Sequence, residues 1–173
     1  IKFVFDSQYP NGGWPQRFPL ENNYGRLITY NDNAMVGVMT LLTDVHKAEG
    51  DYAWVRPELR ERAKQSFDRG VRCVLDTQIK VNGQLTGWCQ QHDETTLAPA
   101  AGRAYEHPSI ASRETVSVVR FLMQIEQPDA AVMASIDAAV TWLQRVQIRG
   151  IRVDRRPDPS AAGGYDVVVA DDP

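Results

Sequence analysis

The sequence predicts a mainly α fold of the helical toroid or α/α-barrel type, built from helical hairpins with long loops between them. Two observations lead to this fold class. Apolar residues recur at helical spacing in four segments, which fall into two consecutive pairs. A long irregular stretch precedes each pair, at residues 9–31 and 79–108, and a third begins at Gly150. Helix pairs joined in this way bring the loops together at one end, with short β-hairpins among them.

The first pair of helices is predicted over residues 34–47 and 57–78. Proline is tolerated in the first turn of a helix, which suits Pro57, and Gly50 is a typical end for the preceding helix. Side chains of the segment Asn31 to Asn33 are N-cap candidates. The apolar residues at helical spacing are Met35, Val38, Met39, Leu42 and Val45 in the first helix and Leu59, Ala63, Phe67 and Val71 in the second.

The second pair shows the same layout. Either Ser109 or Ser112 can cap a helix that continues to Ile125, and Asp129 opens another that runs through Val146. The periodic apolar residues include Val116, Val119, Leu122 and Met123 in one helix and Val132, Ile136, Val140 and Leu143 in the other. The sequence therefore repeats a helical hairpin without repeating its residues.

Two β signals lie in the irregular parts. The tetrapeptide Val81-Asn82-Gly83-Gln84 is typical of a type I′ turn, which closes a tight β-hairpin. Residues 165–169 are rich in β-branched side chains and predict a strand.

Composition limits the classes of partner. The chain has 173 residues, 43% hydrophobic and 24% charged, which suits one soluble domain. Its 19 basic and 22 acidic residues give a net charge of -3, without the basic surface that binds nucleic acid or an anionic membrane. We expect a monomer with neither partner. Whether Cys73 and Cys89 pair is open, since two cysteines form no disulfide framework.

The long loop at residues 86–114 concentrates reactive side chains. It contains tryptophan, cysteine, histidine, aspartate, glutamate, arginine and tyrosine, with almost no aliphatic residues. Such a loop cannot be core, and long loops in compact domains are usually functional or disordered. Its aromatic residues and mixed charges argue against disorder, so a functional loop is predicted.

Two sites before this loop have alternative interpretations. Trp14 and Gln16 follow a tight Asn-Gly-Gly turn and suit a sugar ring, because an aromatic face stacks on it and an amide binds its hydroxyl groups; alternatively, Trp14 fills the base of the loop. Asp32 is either a helix N-cap or a ligand for calcium, which prefers carboxylate and carbonyl oxygens.

Three features within the loop also remain open. His92 and Asp93 are either an acid–base pair or anchors that hold the loop by hydrogen bonds. Arg103 either binds a substrate carboxylate or forms a structural ion pair with Glu106 or Asp93. Cys89 and His92 have the spacing of half a zinc site, but no second pair completes it.

These residues strongly resemble the catalytic module of the pectate lyases of polysaccharide lyase family 10. The matching motifs follow one order along the chain. They are Asn11-Gly-Gly-Trp-Pro-Gln16, Ile28-Thr-Tyr-Asn-Asp-Asn-Ala-Met35, Trp88-Cys-Gln-Gln-His-Asp93, Thr96-Leu-Ala-Pro99 and Arg103-Ala-Tyr-Glu106. Departures from the family pattern are Asn33, where glycine is common, and Ala111-Ser-Arg-Glu114, where Ser-Gly-Ser-Glu is more typical.

The resemblance implies an (α/α)3 toroid that cleaves homogalacturonan (polygalacturonate) by calcium-dependent β-elimination. Because this substrate is a polymer, we expect a secreted enzyme, extracellular or periplasmic. It implies that Arg103 is the base that removes the C5 proton and that Asp32 binds calcium. The residues that we expect at the substrate are Trp14, Gln16, Tyr30, Asn31, His92, Asp93 and Tyr105. We expect residues 1–173 to be the central part of one catalytic domain, with further calcium and substrate ligands outside them.

Two other functions fit the residues less well. An inverting glycoside hydrolase on an α/α-barrel would pair Asp32 with Asp93 or Glu94 as acid and base. A non-catalytic pectin-binding module would use the aromatic residues alone. Neither gives Arg103 a function of its own.

Overall fold

The computed structural model describes residues 1–172 and confirms the mainly α fold. The chain divides into two compact units, Ile1–Leu143 and Gln144–Pro173. Within residues 1–172 the helices are α1 (Lys2–Asp6), α2 (Ala34–Lys47), α3 (Pro57–Thr77), α4 (Ser112–Leu122) and α5 (Ala130–Val146). The strands are β1 (Ile28–Thr29), β2 (Lys80–Val81), β3 (Gln84–Leu85), β4 (Gln91–His92), β5 (Pro99–Ala100), β6 (Ile151–Pro157) and β7 (Tyr165–Asp171).

Helices α2 and α3 pack against each other as the predicted hairpin. Apolar residues one helical turn apart in α2, including Met35, Met39 and Leu42, are buried in the core. Pro57 occupies the first turn of α3, as predicted. The end of α2 differs from the prediction, because Ala48 takes the left-handed C-cap conformation at φ 57° and Gly50 begins a 3-10 turn instead.

Both helices of the second pair are present, but they pack against each other less closely than α2 and α3, and their boundaries differ from the prediction. Neither predicted serine caps α4: Ala111 precedes its first residue, Ser112, and makes no side-chain cap. Helix α4 also ends at Leu122, before Ile125. The start of α5 is as predicted, because the Asp129 carboxylate accepts a hydrogen bond from the Val132 N–H at 2.8 Å.

The β-hairpin predicted at residues 81–84 is present. Strands β2 and β3 pair antiparallel, and the two turn residues have positive φ, 52° at Asn82 and 80° at Gly83, as a type I′ turn requires. Strands β6 and β7 form a second antiparallel hairpin in which Val153 lies opposite Val169, so the strand predicted at residues 165–169 is confirmed. The valines of this hairpin are largely exposed.

A third sheet was not predicted. Strands β1, β4 and β5 form a small antiparallel sheet in the order β1-β4-β5, with Thr29 opposite Gln91 and Gln91 opposite Ala100. Each strand has only two residues. This sheet joins the loop before α2 to the loop before α4.

One hydrophobic core underlies these loops. It includes aromatic residues from both loops, Trp14, Tyr30 and Trp88, beside the apolar faces of α2, α3 and α4. Across residues 1–172, no helix combines the length and apolar character that a bilayer crossing requires.

Candidate active site

The three-stranded sheet brings together the two segments that carry the predicted base and the predicted calcium ligand. The N–H groups of Tyr30 and Asn31 both donate to the Gln90 carbonyl, at 2.9 and 3.2 Å. The chain then leaves β1 toward Asp32, while it leaves β5 toward Arg103. Because β1 and β5 are both antiparallel to β4, they end beside Gln91 at the same end of the sheet, and the two segments leave from there.

Asp32 lies on a turn with unusual backbone conformation. Both Asp32 and Asn33 have positive φ, 53° and 59°, a region that aspartate and asparagine tolerate better than most residues. The Asp32 N–H donates to the Asn31 side-chain oxygen at 3.0 Å, and Ser117 donates to the Asn33 side-chain oxygen at 2.6 Å. No side chain of this segment caps α2, so the N-cap prediction is wrong. The turn presents an exposed Asp32 carboxylate instead.

Glu106 holds the Arg103 turn from within the protein. Its carboxylate is 3% exposed and accepts from the Arg103 N–H and Nε, both at 2.9 Å, and from the Arg103 Nη2. It also accepts from Asn31 Nδ2 at 2.8 Å and Gln91 Nε2 at 3.1 Å. A buried carboxylate is costly unless paired, and these donors supply the compensation. The alternative that Arg103 forms an ion pair with Glu106 is thus confirmed.

The Arg103 guanidinium lies at the surface between Glu106 and an aromatic ring. Its side chain is 40% exposed, and its central carbon lies 5.1 Å from the centroid of the Tyr105 ring, which is itself exposed. The hydrogen bond to Glu106 raises the pKa of Arg103 above its ordinary value, with smaller contributions from the charges of Glu106, Tyr105 and Asp32. In turn, the same hydrogen bond lowers the pKa of Glu106.

His92 organises the loop from inside. Its ring is fully buried: Nε2 accepts from the Cys89 N–H at 3.1 Å, and Nδ1 donates to the Leu97 carbonyl at 2.9 Å. Burial lowers the pKa of His92 to about 4, so the ring is neutral near pH 7. The prediction that His92 contacts substrate is wrong, and the anchoring alternative is confirmed. With both ring nitrogens engaged, the half zinc site is also ruled out.

Three further predicted substrate contacts lie beneath the surface. Trp14 is 2% exposed and donates from Nε1 to the Val4 carbonyl at 2.9 Å. The Tyr30 hydroxyl is buried against Thr77 Oγ1 at 2.6 Å. Asn31 is buried with its amide on Glu106. Trp14 therefore fills the base of its loop, and none of these side chains can stack on or bind a sugar at the surface.

The remaining predicted contacts lie nearer to solvent. Gln16 is half-buried, and its side-chain oxygen has no partner within residues 1–172. Tyr105 is 70% exposed beside Arg103. Asp93 lies on the wall of a surface pocket of about 460 Å³, together with Tyr24, Arg26, Glu94 and Gly102. Arg26 and Glu94 form an ion pair there at 2.6 Å.

In this arrangement a metal ion bound by the exposed Asp32 carboxylate would lie at the same surface as the Arg103 guanidinium. Within the part of the chain that the structure describes, no group of three or more histidine, cysteine, aspartate or glutamate residues could hold a metal ion. Calcium takes six to eight oxygen ligands. The exposed Asp32 carboxylate suits one of those positions, and its chemistry fits calcium better than a soft metal.

The buried residues that hold the site residues in place by hydrogen bonds were not identified from the sequence. Gln91 was not considered, and Glu106 was considered only as one ion-pair partner of Arg103. One signal points to Glu106: it lies three residues after Arg103, a spacing that lets a tight turn close between them.

Comparison with known proteins identifies the family and fold of the chain. A sequence profile of the pectic acid lyase family matches residues 1–172. A solved structure of a family 10 polysaccharide lyase from Cellvibrio cellulosa superposes with a TM-score of 0.82 at 32% sequence identity, covering 96% of this chain and 51% of the other. An aspartate-to-alanine mutant from the same organism, in complex with trigalacturonic acid, matches with the same TM-score and identity, covering 96% and 52%. No curated protein sequence matches the chain.

These matches settle fold and family. The chain spans about half the length of the two solved structures, and the agreement over 96% of it confirms the α/α toroid fold class. The profile extends over essentially the whole chain, so the family assignment does not depend on one motif. The chain belongs to the pectic acid lyase family.

Proposed function

We propose that the protein is a calcium-dependent pectate lyase that cleaves polygalacturonate by β-elimination. The observation that supports this most directly is the surface position of the Arg103 guanidinium, oriented by Glu106 at the end of the sheet from which the segment with the exposed Asp32 carboxylate also leaves. Family membership and the trigalacturonic acid complex of a similar lyase support the substrate class.

In this proposal Arg103 removes the proton from C5 of a galacturonate residue. The electron pair of the broken C5–H bond forms a C4–C5 double bond, the bond from C4 to the glycosidic oxygen breaks, and that oxygen takes up a proton. Negative charge develops on the uronate group during the reaction, so fixed positive charge beside it lowers the barrier. The products are a shortened chain and a chain with an unsaturated end.

Asp32 is the residue of this chain that would hold calcium. When bound, calcium neutralises uronate charge and makes the adjacent C–H bond more acidic. The Asn31 side chain fixes the turn that presents the Asp32 carboxylate, since it accepts from the Asp32 N–H at 3.0 Å. The turn is therefore held in place before any ligand arrives.

An arginine base requires a strongly alkaline preference. Because Glu106 raises the pKa of Arg103, only a small fraction of the side chain is neutral near pH 7. That fraction grows about tenfold for each pH unit below the pKa, and the proposal requires kcat to rise with pH in the alkaline range. The Tyr105 ring lies beside the guanidinium, with its centroid 5.1 Å from the central carbon of Arg103.

The size of the substrate suggests where the protein acts. A polymer such as polygalacturonate does not enter the cytoplasm, so we place the enzyme outside it, in the periplasm or the extracellular medium. We also propose that it acts as a monomer, which size-exclusion chromatography with light scattering would check.

Other functions receive less support. A pectin-binding module built on Trp14 and Tyr30 would need their rings at the surface, but both are buried. A hydrolase would need a free acid or base beside Asp32, whereas Asp93 is engaged with Thr95 and Thr96.

One assay tests the proposal. The full-length protein is incubated with polygalacturonate, and the ultraviolet absorbance of the unsaturated product is followed with calcium and with a chelator. We expect an absorbance increase that the chelator abolishes and added calcium restores. Saturated reducing ends without absorbance would indicate hydrolysis, and binding without turnover would indicate a binding module; either result would contradict the lyase.

A further inference from the structure

Glu106 connects three parts of the chain: its own turn with Arg103, strand β4 and the turn before α2. Its Oε1 accepts from the Arg103 side chain and from Asn31 Nδ2, while its Oε2 accepts from the Arg103 N–H and Gln91 Nε2. Arg103 belongs to the loop before α4, Asn31 to the turn before α2, and Gln91 to β4. One buried carboxylate therefore links all three.

Oε1 is the atom that joins the two halves of the proposed site. On one side it binds the guanidinium, and on the other it binds the amide of Asn31 at 2.8 Å. The Asn31 oxygen then accepts from the Asp32 N–H at 3.0 Å. A continuous series of hydrogen bonds thus runs from Arg103 through Glu106 and Asn31 to the backbone of Asp32.

From this geometry we infer that Glu106 is the positioning residue of the elimination site: it orients the Arg103 guanidinium and, through Asn31, holds the Asp32 turn at a fixed place relative to it. The inference rests on the proposed function. Glu106 is too deeply buried to contact a polysaccharide, so it acts through these two residues.

The contacts also specify which part of the guanidinium is available. Glu106 engages Nε and Nη2, which leaves Nη1 as the nitrogen without a bond to it. A half-exposed arginine side chain otherwise samples many rotamers, and catalysis depends on holding reacting groups within a narrow range of positions. Glu106 thus fixes Nη1 as the nitrogen that faces the substrate.

Close packing around Glu106 indicates a position built for a carboxylate. A Cβ atom placed on Gly102 would lie 2.5 Å from Glu106 Oε2 and 2.7 Å from the side-chain amide carbon of Gln91. Glycine at position 102 is therefore what allows the backbone to approach the carboxylate. Gly102 N–H also donates to the Glu106 carbonyl at 3.0 Å, which closes the turn.

The test compares two variants of the full-length protein, which remove different hydrogen bonds of the series from Arg103 through Glu106 and Asn31 to Asp32. Glu106→Gln keeps the size of the side chain but removes its charge and one of its two acceptor oxygens. Asn31→Ala leaves the Arg103–Glu106 pair intact and removes only the link to the Asp32 turn. Glu126→Gln is the control, because Glu126 pairs with Lys47 at 2.6 Å at an exposed position away from the site.

The two variants should change different quantities, kcat in one and calcium affinity in the other. We expect Glu106→Gln to lower kcat at saturating calcium by about 10- to 100-fold, with KM changed less than about threefold, because the base is misoriented while substrate contacts remain. Asn31→Ala should weaken calcium binding, measured by titration calorimetry, by about three- to tenfold, and leave kcat at saturating calcium within about threefold. Glu126→Gln should change neither quantity.

Failure of the inference and failure of the proposed function give different results. If the wild-type protein forms no unsaturated product, the function is wrong. If it does, and Glu106→Gln keeps kcat within twofold while Asn31→Ala leaves calcium affinity unchanged, the inference is overturned. Should Glu106→Gln not fold, calcium affinity in Asn31→Ala decides, since that variant retains the charged pair.

Discussion

Two carboxylates in the same loop, Glu106 and Asp93, stabilise it in different ways. Glu106 is buried and accepts hydrogen bonds from three separate segments of the chain. Asp93 is near the surface, and its Oδ1 accepts only from residues two and three positions later, from the N–H groups of Thr95 and Thr96 at 3.0 and 2.7 Å. One carboxylate connects distant parts of the fold, and the other forms a local turn.

The comparison shows why the loop needs both kinds of anchor. The Asp93 turn is tied to the interior by a different residue, His92, through the Leu97 carbonyl. The Glu106 turn is tied to the interior by its own carboxylate. Substitutions in the two turns should therefore differ: those at the Glu106 turn should affect activity and stability together, whereas those at the Asp93 turn should affect mainly stability.

The largest effect is expected from protonation of His92. Burial lowers its pKa to about 4, while in the unfolded chain it titrates near 6.5. Between these values the unfolded state binds a proton that the folded state does not, so stability is complete above about pH 6.5 and falls as the pH decreases toward 4. The loss is about 3 kcal/mol at most, at about 1.4 kcal/mol per pKa unit.

Urea unfolding between pH 7 and pH 4 would measure this loss. In His92→Gln, the amide can replace both hydrogen bonds without titrating, so this part of the pH dependence should disappear. His107→Gln is the control, because His107 is exposed and should leave the pH dependence as in the wild type. Equal pH dependence in wild type and His92→Gln would contradict the anchoring role.

The next effect is expected at Gly102. Its substitution by alanine places a methyl group 2.5 Å from Glu106 Oε2, so the carboxylate must move and its donors lose their acceptor. We expect a loss of about 2 kcal/mol in the free energy of unfolding together with at least about a tenfold loss in kcat. Denaturant unfolding and the product absorbance assay measure the two quantities.

Gly37 provides a matched control for this substitution. It lies within α2, and among residues 1–172 no heavy atom outside its chain neighbours and its own helix backbone lies within 4 Å of the position its Cβ would take. Gly37→Ala should stabilise the protein by about 0.5–1 kcal/mol, because alanine is the better helix former. A Gly102→Ala variant as active and as stable as Gly37→Ala would show that Glu106 tolerates displacement.

The smallest effect is expected at Asp93. Asp93→Ala removes the acceptor for Thr95 and Thr96 and should cost about 1 kcal/mol, similar to the loss of a helix cap. Hydrogen bonds from those residues lower the pKa of Asp93, so this contribution should weaken as the pH falls through that lowered pKa. Thermal unfolding at pH 7 and pH 3 would measure it, with the exposed Asp51→Ala as control. A loss as large as that of Gly102→Ala would remove the distinction between the two turns.

Most of the helical framework could be predicted from the sequence, because helical periodicity extends over many residues. Helices α2 and α3 have nearly the predicted limits, and the Asn82-Gly83 turn was identified from its two residues. The sheet β1-β4-β5 could not be predicted, since a strand of two residues is too short to show alternation.

The candidate site was only partly predictable for a related reason. Residue types identified Arg103 and Asp32 through the family motifs, but they did not show which side of a loop faces the core. Trp14, Tyr30 and His92 therefore looked like surface contacts, whereas their ring faces fill the interior. The role of Glu106 depends on contacts with residues up to 75 positions away, which no local pattern records.

The kcat of Arg103 variants shows most directly whether Arg103 removes the C5 proton. Arg103→Ala removes the proposed base, Arg103→Lys keeps a positive charge opposite the buried Glu106, and Arg120→Ala removes an exposed arginine from α4. With calcium and polygalacturonate, we expect both Arg103 variants to lose about 10²- to 10⁴-fold in kcat and Arg120→Ala to match the wild type. Near-normal elimination by folded Arg103→Ala would show that Arg103 is not the base.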